Sequence, residues 1–160
     1  MGAPTASVLA KTVQLLNATS GLTAAITGYA ALSTLQSAPV AQSSYVPEEL
    51  QEQSTKVSYP SCRVYCDEVQ NKGNVKFREF SGDYQMVAEV THSQDRLGGL
   101  TEMLQATADA VGAVLESNQG NLGDGMVLQP GYEVRTTAVA KGGLNYLQRA
   151  KVVFRMSWER

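Results

Sequence analysis

The sequence predicts an α+β domain: a mainly antiparallel sheet of about five strands in the order β-β-β-α-β-β, one covering helix, and a helical segment ahead of it. Three observations carry this. Apolar residues recur at helical spacing before residue 47, the apolar period changes from about 3.6 to 2 past Pro60, and one long helical stripe interrupts the strand-like segments. The division that follows is an N-terminal helical segment at 1–47, a linker at 48–60 and an α+β core at 61–160.

From Met1 to Pro47 the only charged residue is Lys11. Val8, Leu9, Val13 and Leu16 define a first helix, with Thr5 or Ser7 as its cap. Leu22, Ala25, Ile26, Tyr29 and Leu32 define a second, capped by Ser20. Their opposite faces carry Thr, Ser and Ala rather than charges, so burial on more than one side is expected, either within the monomer or in an interface. Asn17, Thr19, Ser20, Gly21 and Thr23 interrupt the apolar run too soon for a membrane span, and no basic start marks a secretory signal. Pro39, Pro47 and Pro60, with Ser, Gln and Glu between them, read as an extended polar connector.

Strands are predicted at 62–69, 75–80 and 84–92. Asn71 to Asn74 separate the first pair, and Ser81-Gly82-Asp83 turns the second into the third. Tyr84, Met86, Ala88 and Val90 share one face of the third strand. A helix follows, with Ser93 as cap, Asp95 in its first turn and an apolar stripe of Leu97, Leu100, Leu104, Val111 and Leu115. Gly98 and Gly99 weaken its start and Gly120 stops it. Residues 118–125 read as a glycine-rich loop, and Tyr132, Val134, Thr136 and Ala138 restart the sheet. Gly142-Gly143 turns the chain into the last strand, where Ala150, Val152, Phe154, Met156 and Trp158 alternate with mainly polar residues.

The chain of 160 residues has 13 Lys plus Arg, 15 Asp plus Glu and a net charge of −2, which argues against a general nucleic-acid binder. The charge is uneven, with nine acids against five bases in residues 61–120 and six bases against three acids in residues 121–160. Strand geometry would hold the Cα atoms of Cys62 and Cys66 roughly 13 Å apart, beyond the ~7 Å reach of a disulfide, so reduced thiols in a reducing cytoplasm are expected. Two cysteines and a single histidine do not compose a zinc site.

No catalytic constellation emerges. His92 adjoins Ser93 and lies near Asp95, but neighbouring strand residues point to opposite sides and do not converge as a triad must; a polar surface histidine in a strand-end or helix-capping role is the expectation. The loop at 120–125 lacks the Gly-Lys-Ser or Gly-Lys-Thr of a phosphate loop and the alternating acids of a calcium loop, which leaves a partner-touching tip. Arg149, Lys151 and Arg155 share parity on the last strand and line one sheet face. With the acidic middle of the chain, this asymmetry suits head-to-tail self-association.

Four stretches carry a resemblance: Lys76-Phe77-Arg78-Glu79-Phe80-Ser81-Gly82, Val90-Thr91-His92-Ser93-Gln94-Asp95-Arg96, Gly131-Tyr132-Glu133-Val134 and Gly142-Gly143-Leu144-Asn145-Tyr146-Leu147-Gln148. In this order, over residues 60–160, they resemble the neck and tail-completion proteins of long-tailed bacteriophages, the tail terminators most closely. The resemblance implies a non-enzymatic virion subunit, assembled in the host cytoplasm without a cofactor. It would form a hexameric ring on the tail tube, with the tail tube protein and a head-side connector or stopper as partners and DNA only as passing cargo. The N-terminal helical pair, with Lys11 as its one charge, is longer than a minimal terminator needs.

On this reading subunit contacts fall on Arg149, Lys151 and Arg155. Partner contacts fall on the turn at Gly82 and Asp83 and on the loop at Asn121, Leu122, Gly123 and Asp124. Two alternatives follow from the same residues: another virion module, such as a head-completion protein or a tube subunit, and a small enzyme or ligand-binding domain.

Overall fold

The computed structural model describes residues 4–32, 39–43, 59–72 and 81–159. Helix α1 (Pro4–Asn17) opens the chain, with Pro4 at a position where its missing N–H costs no hydrogen bond. Val8, Thr12 and Leu16 form its buried stripe. The short α2 (Leu22–Ile26) is entered through Gly21 rather than a Ser20 cap, because a Cβ at residue 21 would strike the Leu15 and Leu16 carbonyls. A single 3-10 turn at Ala30–Leu32 follows.

Among the described residues the sheet has seven strands: β1 (Ala41–Gln42), β2 (Ser61–Asn71), β3 (Ser81–Gln94), β4 (Gly120–Gly123), β5 (Met126–Thr136), β6 (Ala140–Gly142) and β7 (Asn145–Glu159). Their order is β1-β2-β3-β7-β5-β4, and β6 pairs with β7 beyond the end of β5. Between β3 and β4 lies the long helix α3 (Leu100–Ser117). The fold is α+β, but the sheet is curled and mixed rather than purely antiparallel, because β1 runs parallel to β2. Asn17 fixes that pairing from the end of α1: its side-chain amide donates to the Ala41 carbonyl at 2.9 Å and accepts from the Ala41 N–H at 2.8 Å.

Several sequence expectations are corrected. Ser81, Gly82 and Asp83 are not a turn: they begin β3, where Gly82 pairs with Asn71 on one side and Trp158 on the other. The strand expected at 75–80 and most of the linker lie outside the described residues. The loop expected at 118–125 is a β4–β5 hairpin, with Asn121, Leu122 and Gly123 in strand and Asp124-Gly125 in the turn. Helix α3 starts from Gly99 at φ +80°, a left-handed conformation that glycine adopts without strain, so Ser93 stays in β3 and Leu97 is left outside the helix.

The core lies between the helices and one face of the sheet. Tyr84, Met86, Ala88 and Val90 of β3 and Ala150, Val152, Phe154, Met156 and Trp158 of β7 are buried in one cluster. That cluster also holds Val8 and Leu16 of α1, Leu22 and Ile26 of α2, and Leu104, Val111 and Leu115 of α3. The N-terminal helices are thus part of the monomer core, which resolves the choice between core and interface for these side chains. Thr12 ties α1 down by donating to the Val8 carbonyl at 2.9 Å, with its hydroxyl 3.2 Å from the Met156 sulfur.

Candidate functional site

Arg149, Lys151 and Arg155 do share one face of β7, opposite the helices, as their parity requires. The face is not a free basic patch. Glu89, on the neighbouring β3, sits between two of them, with its carboxylate 3.9 Å from Arg149 Nε and 3.7 Å from Lys151 Nζ. The Tyr65 hydroxyl of β2 donates to the same carboxylate at 3.4 Å. On β5, Arg135 grips Glu133 through two bonds of 2.8 and 3.1 Å, and this guanidinium holds the Glu133 carboxyl below the usual range. Val87, between Tyr65 and Val153 in the ladder, is 2% exposed on this face.

Both long edges carry features that discourage sheet extension. On β5 these are Pro130, the irregularity between Leu128 and Tyr132, and the Glu133–Arg135 pair; on β2 they are Asp67, Glu68 and a bulge beside Cys66. The ends of the sheet differ from its edges and from each other. Four of the six exposed large apolar residues among those described, Val40, Leu97, Val139 and Leu144, lie toward the end of the sheet at which β7 begins, spread over several strands. The charged residues described there are balanced, with Arg96, Lys141 and Arg149 against Asp95, Glu102 and the Glu89 carboxylate that Arg149 meets. Where β7 ends, the charged residues among those described are mainly acidic, with Asp67, Glu68, Asp83, Asp124 and Glu159 against Lys11, Lys72 and Arg155. Lys72 and Asp83 form a 2.7 Å ion pair in that group.

An open cleft of about 440 Å³ lies at this acidic end, between α1 and the β4–β5 turn. Ser7, Lys11 and Gln14 form one wall, Asp124 the other, and the buried side chains of Met126 and Trp158 the floor. The Trp158 indole N–H donates to the Asp124 carbonyl at 2.8 Å. Gly125, at φ +78°, lies so close to the Glu159 carbonyl that no side chain fits there.

His92 is 6% exposed, against the expectation of a surface histidine, and its Nε2 is 3.2 Å from the Gln94 side-chain oxygen. Burial lowers its pKa, with the Gln94 bond opposing. It neighbours Gln148, which accepts from Thr101 at 2.8 Å and donates to the Thr137 carbonyl at 2.9 Å. Both cysteines are free thiols, and burial pushes Cys62 up to about 12. Among the described residues no group of three or more His, Cys, Asp or Glu side chains is placed to hold a metal, and no helix is long and apolar enough to cross a membrane.

Of the residues expected to touch partners, Asn121 and Asp124 are exposed at the β4–β5 hairpin, whereas Gly82 is buried in β3 and Asp83 is tied to Lys72. The sequence reading passed over Glu89, Leu144 and the cleft. Leu144 carried a signal: one apolar residue set between Gly143 and Asn145, where turn chemistry calls for polar ones. No protein-family model matches the chain, and no curated protein matches it in sequence.

Proposed function

We propose that this chain is a structural subunit of a phage neck. Copies join head-to-tail into a ring, a hexamer, that caps the tail tube, ends its polymerisation and joins it to the head-side connector. DNA passes through the lumen as cargo, and the subunit works in the virion without a cofactor or a catalytic step. The resemblance over residues 60–160 motivates the reading, and one observation supports it most: the two ends of the sheet are unlike, one with most of the exposed large apolar side chains described, the other cleft-bearing and mainly acidic among the described residues. Unlike surfaces on one domain are what a heterologous contact needs, and such contacts close into rings when the rotation per subunit allows. The blunted edges of β2 and β5 favour a closed assembly through these ends over open-ended sheet addition.

The test is electron microscopy of the protein mixed with tubes built from the tail tube protein of the same phage. The expected image is one ring at one end of each tube, with growth stopped there. Long tubes formed by this protein alone would instead make it a tube subunit, and the absence of any ring on the tubes would overturn the reading.

A further inference from the structure

We propose that His92 and Gln94 form an acid-sensitive latch: it holds the connector between β3 and α3, residues 95–99, closed at neutral pH and releases it in acid. This goes beyond the ring reading and does not depend on it.

The connector has little packing of its own. Residues 95–99 are all exposed, and a Cβ at Gly98 or Gly99 would meet nothing within 4 Å. The Gln94 side chain gathers it, donating from Nε2 to the Arg96 and Gly98 carbonyls at 2.7 Å each. Helix α3 then starts with the Leu100 N–H on the Leu97 carbonyl and the Met103 N–H on the Gly99 carbonyl.

Those two bonds use both hydrogens of the Gln94 amide, so its oxygen is the atom that meets His92 Nε2 at 3.2 Å. A carbonyl oxygen only accepts, which assigns the ring proton to Nε2 and leaves Nδ1 bare in the neutral form. Nδ1 is buried with no hydrogen-bond partner among the described residues. Gln148, opposite His92 in the ladder, is committed to Thr101 and to the Thr137 carbonyl.

Protonation adds a hydrogen at Nδ1, and the imidazolium then carries a buried donor with no acceptor, where charge is costly. The nearby charges do not offset this. Asp95 and Arg96 of the connector and Glu102 of α3 are exposed, Arg149 of β7 lies on the opposite face with Glu89, and β2 brings Ser61, opposite Thr91. Burial and the Gln94 bond alone set the ionisation of the ring. The charged ring reaches water by leaving the junction of β3 and α3, which breaks its bond to Gln94 and frees the connector with Leu97. Acid would thus remodel the surface offered at the end of the sheet where β7 begins.

The experiment is amide hydrogen exchange of the full chain by NMR, corrected for the intrinsic effect of pH, with Leu100 and Met103 reporting the latch and Ala88 and Val152 the core. Leu100 and Met103 should be less protected than the core at every pH, the sign of local opening. The closed state binds the proton less readily than the open one, so protection is full above about pH 6.5 and falls below it. Between about pH 7.5 and 5.5 the loss should approach about tenfold, the limit set by an ordinary histidine in the open state. His92→Gln can keep the bond to Gln94 but cannot titrate, so its protection should stay level over that range. Gln94→Ala should lower protection at neutral pH and remove the pH dependence, and it decides the matter if His92→Gln does not fold by circular dichroism. Nitrogen-15 shifts of His92 should place the neutral-ring proton on Nε2. The proposal is overturned by wild-type protection that does not fall in acid, by an equal fall in either variant, by connector amides as protected as the core, or by a proton on Nδ1.

Discussion

The ring of Tyr132 on β5 occupies the space where a Cβ on Gly112 of α3 would stand. Gly112 is buried mid-helix, and its missing side chain lets the aromatic ring pack directly against the helix backbone.

Two effects therefore oppose each other in Gly112→Ala. Alanine favours the helix by about 1 kcal/mol, while forcing a methyl group under a packed ring costs about 1–3 kcal/mol. A net loss of stability is expected in the wild-type background. With Tyr132→Ala already in place the clash is gone, and the same substitution should stabilise by up to about 1 kcal/mol. Urea unfolding of the four proteins in the cycle checks the reversal of sign.

His92 should give stability a dependence on pH. Its folded-state pKa lies below the ordinary 6.5 because burial disfavours the imidazolium. The unfolded chain therefore binds the proton more readily, so stability is full above about pH 6.5 and declines as the pH falls toward the lowered folded value. The urea midpoint should be lower at about pH 5.5 than at about pH 7.5, and His92→Gln should flatten that difference.

Thiol labelling should separate the two cysteines. Burial pushes Cys62 up to about 12 and raises Cys66, which is partly exposed beside Glu68. Because the thiolate is the reactive form, a thiol reagent at neutral pH should modify Cys66 slowly and leave Cys62 untouched until the protein unfolds. Rapid labelling of both in the native state would contradict the burial of β2 against α1.

Much of this fold was legible because the signals are local. The parity of Tyr84 to Val90 and of Ala150 to Trp158 assigns the core face without reference to any distant residue. Strands β1, β4 and β6 were not legible, since two to four residues are too few for a period and ladder partners alone make them strands. Leu97 continues the apolar spacing of α3, yet Gly98 and Gly99 start the helix after it and leave Leu97 57% exposed. The basic face was read from parity alone. Its anchoring by Glu89 depends on strand order, which places β3 beside β7 and which no single segment encodes.

If ion pairs between copies hold the assembly, association should weaken as salt rises from about 50 to 500 mM, since exposed charges are screened over that range. Sedimentation at the two salt concentrations reads this directly. Association strengthened by salt would show that apolar contact alone drives it.

The most direct test of the central claim is the mass of the purified protein, measured by light scattering over a concentration series, with electron microscopy of the largest species. The expected result is a closed ring near six times 17.1 kDa that grows no further as concentration rises. A monomer of 17.1 kDa at every concentration would contradict it.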